Sequence, residues 1–135
     1  HEVCHALVEG PNGWAQPDWG LENIDARHLV NELACHRVQA ALSEPYELRG
    51  FMAVTTDWRP HYDALPENPI EPCAFAGALD EQARLLARGG LERAQGEPWR
   101  SAISEALNAT RALAQLAAPF SSPAVSEGLS SLWLE

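Results

Sequence analysis

The chain begins HEVCHALVEG, residues 1–10, and its first five residues decide which fold to expect. A helix turns about 100° per residue, so side chains four positions apart lie one above the other on one face. On a helix over residues 1–9, His1 and His5 therefore present two imidazoles to one point. Glu2 sits one step round, where its carboxylate reaches a water held at that point instead of an ion itself. Two ligands and a general base on one rigid element are the physical content of the H-E-x-x-H spacing. Zinc bound there lowers the pKa of its water to about 7, and the glutamate takes the proton. Val3, Ala6 and Leu7 are expected to face the core, with Gly10-Pro11 ending the helix.

Working outward, GPNGWAQPDWG at residues 10–20 is loop chemistry, with three Gly, two Pro, an Asn-Gly pair, and Trp14 and Trp19 as anchors. A long helix should follow, capped by Asn23 or Asp25. Leu29, Val30, Leu33, Ala34, Val38, Ala41 and Leu42 recur on it at helical spacing until Pro45 stops it. His28, Glu32 and His36 fall at i, i+4 and i+8, so one stripe of this helix presents all three. The metzincin form of the motif needs Gly at position 8 and His at position 11. The chain has Val8 and Pro11, so that form is excluded. Glu32, 27 positions after His5, and His36 are the candidate third ligands on that stripe. His28 reads as a capping or solvent-facing residue.

Residues 46–72 carry less pattern. YELRGFMAV fits a short strand or an extended segment, and TTDWRPHYDALPENPIEP, with four prolines, an ordered loop with one helical turn. AFAGALDEQARLLAR reads as a helix ended by Gly89-Gly90. A last helix begins near Glu97-Pro98 and runs to Pro119. The expectation is a mostly α protein, with a metal-binding catalytic domain over residues 1–118. Residues 119–135 form a tail that docks through Leu132 and Trp133 or frays.

Composition narrows the function. The net charge is -10, with nine Lys and Arg against nineteen Asp and Glu. A nucleic-acid binder needs a positive footprint to displace counterions from phosphates, so nucleic acid and anionic membranes are not expected partners. Cys4, Cys35 and Cys73 are odd in number and lack CxxC spacing, which favours a reducing, cytoplasmic setting over a disulfide framework. Cys4 lies off the His1/His5 stripe and reads as a small core residue. Asp18 could accept the free ring N–H of a ligand histidine, or simply serve the Pro-Asp-Trp-Gly turn. Glu9 reads as a solvated helix-end charge, and His61 and Asp63 as polar residues of the proline-rich loop, with the lining of a cleft as the alternative. Ser101 and Ser104 have no adjacent base, so serine chemistry finds no support.

HEVCH followed by a carboxylate on the next helix resembles the glutamate zincins, and Asn31-Glu32-Leu33-Ala34 is similar to their second-helix signature. A narrower resemblance is to the elongation factor P hydroxylase family. It rests on HEVCH, Gly10, Asp18-Trp19-Gly20 and the late stretch ARLLARGGLERAQGEPWRSAISEAL. These resemblances imply a zincin-like catalytic half lacking an N-terminal α+β segment, and therefore poorly stable alone. They also imply His1, His5 and Glu32 as metal ligands. The expected activity is zinc-dependent hydrolysis of a peptide or protein substrate with Glu2 as base. The alternatives are an iron-dependent protein hydroxylase and an inactive binding module on the same fold.

Overall fold

A computed structural model describes residues 1–17 and 28–120 of the chain. The architecture is mostly α, as the periodicity predicts, and no strand occurs among the described residues. The helices are α1 (Glu2–Glu9), α2 (Pro11–Trp14), α3 (Leu29–Ser43), α4 (Arg59–Asp63), α5 (Asp80–Ala94) and α6 (Trp99–Ala117). Among the described residues, no helix is long and apolar enough to cross a membrane. The Asn23 and Asp25 caps, Asp18, Trp19 and most of the expected tail lie outside the described residues.

The main core forms where α1 and α3 pack on α5. Cys4, Leu7 and Val8 meet Leu33, Ala34, Cys35 and Val38, with Ala83, Ala87 and Ala94 opposite. Val3 is a correction to the expected core face. It is 45% exposed, because α3 and α5 cover the other sides of the first turn. A smaller cluster of Ala40, Val54, Tyr62, Leu65 and Cys73 fixes the chain that follows α3.

The glycine pair at 89–90 does not stop α5, which continues to Ala94. Gly90 is buried, and a Cβ there would lie 3.1 Å from Val38 Cγ2 and 3.4 Å from Val8 Cγ2. Ala83, Ala87, Gly90 and Ala94 thus form a small-residue stripe that lets α1 and α3 approach α5 closely. The glycine answers to packing and not to termination. The expected loop from Gly10 likewise contains a short helix, α2, with Pro11 at its start. Trp14 folds back from it and donates its indole N–H to Ala6 O at 2.9 Å.

At the end of α1, Gly10 has φ 66°, a left-handed conformation that favours glycine. The Arg93 guanidinium presses against it and donates to the Leu7 and Val8 carbonyls, which the helix end leaves without partners. Arg37, fully buried on α3, donates to the Pro69 and Glu71 carbonyls and pairs with Asp80. Arg49 donates to Leu65 O at 2.7 Å and Glu67 O at 3.2 Å. These bonds order residues 46–72 without the expected strand. The predicted helical turn is present as α4.

The two adjacent glycines should respond oppositely to substitution. A Cβ at Gly89 would meet only the Arg93 side chain, at 3.7 Å, so Gly89→Ala should raise stability by about 0.5–1 kcal/mol through helix propensity. Gly90→Val should lower it by about 1–3 kcal/mol through overpacking. Urea denaturation of both variants checks the contrast.

Candidate metal centre

His1 is the N-cap of α1, and its carbonyl accepts the N–H groups of Cys4 at 2.8 Å and His5 at 3.2 Å. The first turn therefore closes around His1 and stacks the two imidazoles on one face, with ring centroids 4.7 Å apart. Glu32 reaches them from the first turn of α3. His1 Nε2 lies 3.1 Å from Glu32 Oε1, and His5 Nε2 lies 3.1 Å from Glu32 Oε2. The two Nε2 atoms are themselves 3.1 Å apart. His1, His5 and Glu32 offer ligand atoms all within 4.8 Å of one another, and this group could hold a metal ion.

The His1 tautomer follows from its outer partner, and the His5 ring is oriented by one. Gln39 donates its amide N–H to Met52 O, which turns its oxygen toward His1. That oxygen can only accept, so His1 Nδ1 donates to it at 2.9 Å and the second ring nitrogen is directed at the cluster. His5 Nδ1 lies 3.2 Å from Cys35 Sγ. Burial pushes the Cys35 thiol well above its usual pKa, so the sulfur stays uncharged. A neutral thiol can donate its S–H or accept, so this contact holds the His5 ring with Nε2 turned inward without assigning its proton.

Two imidazole Nε2 atoms and a carboxylate thus face one small space, an arrangement that asks for positive charge between them. The spacing fits a cation. Donors about 2.0–2.2 Å from zinc lie about 3–3.5 Å from one another in common coordination geometries. A proton meets part of the same demand. The Glu32 hydrogen bond raises the pKa of His1 above its usual value, and burial opposes it only in part. Burial would raise the Glu32 carboxyl, but its contacts with His1, His36 and His5 outweigh this and hold it far below the usual carboxylate range. Metal and proton compete for the site, so binding should release a proton.

His36, the alternative third ligand, is fully buried behind Glu32. Its Nε2 lies 3.2 Å from Glu32 Oε1 but off the hydrogen-bonding direction, and it is not among the mutually close donors. Its Nδ1 is 2.9 Å from Nδ1 of His61, which is also fully buried. Burial lowers the pKa of His36, and burial, followed by the repulsion that a protonated His36 and Arg37 would exert on its charged form, lowers that of His61 to about 4. Both rings are neutral near pH 7.

The remaining expected residues divide. Glu2 is exposed beside His1, with no hydrogen-bond partner among the described residues. Cys4 is buried in the core, as its position off the stripe predicts. Glu9 is corrected: it accepts a hydrogen bond from the Asn31 side chain, which ties the end of α1 to the start of α3. His28 is the N-cap of α3 but makes no side-chain capping bond. Asp63 pairs with Arg59 at 2.8 Å, and Ser101 bonds Glu97, apart from the cluster. His61 is corrected from loop residue to part of the centre's surroundings. Gln39 was readable in principle, because 32, 36 and 39 share one helical face. His61 had no such signal, since only the tertiary fold brings α4 to α3.

Chelator-treated protein should lose stability as the pH falls from 6.5 toward 4. Within that window an unfolded histidine binds a proton that folded His61 does not, so acid favours unfolding. His1, with its pKa raised, acts in the opposite sense and only above 6.5. Urea midpoints at pH 7 and pH 5 should show the drop, and His61→Phe should reduce it.

Comparison with protein-family models, curated proteins and solved structures finds no match for this chain.

Proposed function

We propose that the chain is a metal-dependent hydrolase of peptide or amide bonds, with zinc held by His1, His5 and Glu32. The observation that carries this reading is the inward aim of two imidazole nitrogens at one carboxylate, their outer nitrogens bound by Gln39 and Cys35. Outer partners that orient ligand rings in this way are a regular feature of metal sites. The resemblance of HEVCH and Glu32 to the glutamate zincins supports the same assignment.

A bound zinc ion would supply Lewis acidity toward a water and a substrate carbonyl. The chain's own part is to hold the donors and to move protons. Glu2 lies on α1 directly after His1, exposed and without a hydrogen-bond partner among the described residues, so its carboxylate can swing toward a water at the open side. That side is next to His1, whose side chain is 29% exposed against 7% for His5. Glu2 takes the proton of the attacking water and returns it to the leaving amine. Gln39 and Cys35 keep the two rings in register throughout.

The same donors serve iron in oxygen chemistry, and Glu2 supports the zinc reading, since hydrolysis uses such a base and hydroxylation does not. Glu2→Gln keeps the side chain's shape and removes its basicity. It should cut peptide-library cleavage by about 10²–10⁴-fold while zinc content stays near that of the unaltered protein. His5→Ala should lose the zinc itself. Equal metal loss in both variants would remove Glu2 from the chemistry. Purification without air that yields ferrous iron and O₂-dependent turnover would replace the hydrolase with a hydroxylase. A chain that binds neither metal would be a binding module.

A further inference from the structure

The buried pair His36–His61 takes no part in the ligand set, yet it stands directly behind Glu32. The Nδ1–Nδ1 hydrogen bond of 2.9 Å carries one proton, so one ring donates and the other accepts. If His36 donated, its Nε2 would face Glu32 Oε1 at 3.2 Å as a lone pair against a carboxylate. His61 Nε2 would then be a buried N–H with no acceptor. If His61 donates, His36 Nε2 carries a hydrogen 3.2 Å from the carboxylate oxygen though off its hydrogen-bonding line, and His61 Nε2 is left as an acceptor without a partner. Either arrangement leaves one buried Nε2–H without a geometric hydrogen bond, and the second alone replaces a charge–lone-pair repulsion with an attraction between a partly positive N–H and the carboxylate.

We infer that His61 is a positioning residue: by donating its Nδ1–H to His36, it fixes the tautomer in which His36 Nε2–H braces Glu32 Oε1. The brace restrains the one ligand that does not come from α1. His36 and His61 are both fully buried, so no water can substitute for either contact. The inference rests on the proposed metal site for its effect on affinity but not for the tautomer itself.

Long-range ¹H–¹⁵N spectra of the histidine rings in the full-length, metal-free chain test the tautomer directly. His36 should carry its proton on Nε2 and His61 on Nδ1. The reverse assignment overturns the inference without any variant having to fold. Zinc affinity, measured by competition with a chromophoric chelator, tests the effect. His61→Phe removes the donor and should weaken zinc binding by about 10-fold or more, the usual loss for an outer partner of a ligand. His61→Asn places an amide N–H near the position of Nδ1 and should stay within about threefold of the unaltered chain. Equal affinities for the unaltered, Phe and Asn proteins would overturn the positioning role. An unaltered chain that binds no zinc would defeat the proposed metal site, while the spectra would still decide the tautomer.

Discussion

Two of the three converging donors ride on α1, a helix of eight residues. A helix that short is not stable in water alone, because nucleation costs more than two turns of hydrogen bonds return. Its existence depends on being pressed between α3 and α5. The stripe of Ala83, Ala87, Gly90 and Ala94 makes that contact close, and every residue on it is small for the same reason. Arg93 then binds the last carbonyls of α1, and Asn31 holds Glu9, so the helix is fixed along its axis as well as sideways. The donors converge because the backbone that carries them cannot slide.

Close packing also explains why polar groups beside the core are so fully engaged. Each imidazole near the core would cost free energy if left bare, and Gln39, Cys35 and the His36–His61 contact meet most of that demand. The groups that satisfy buried nitrogens are the same ones that aim the donors. Folding and site assembly are therefore one process at this end of α3. A carboxylate amid these rings stays ionised because its contacts with them outweigh its loss of water.

The helical framework was legible in the sequence wherever a pattern repeated at short range. The His1/His5 stripe, the face of α3 with Glu32, and the final helix all follow from spacing alone. What was not legible depends on contacts between distant segments. Gly89-Gly90 reads locally as a stop, and only the nearness of Val8 and Val38 reveals it as a packing surface. His61 lies in a proline-rich stretch whose local chemistry says loop, and nothing in that stretch indicates that α4 delivers it to His36. Glu9 looked solvated because Asn31, its partner, comes 22 residues later.

The segment between α3 and α5 has no ladder of its own to hold it. Arg37 and Arg49 reach its main-chain carbonyls at Leu65, Glu67, Pro69 and Glu71. Every amino acid brings a carbonyl, so these bonds do not ask which side chain stands at the accepting position. The identity of the exposed Glu67 and Glu71 is thus free to drift over evolutionary time, while the two arginines, the buried Leu65 and Pro69 and the loop's length are not. A lineage could rewrite the exposed part of this stretch, and with it the surface near Trp58 and Phe75, without disturbing the helices beneath. Divergence would then collect on the one part of the molecule best placed to meet something new.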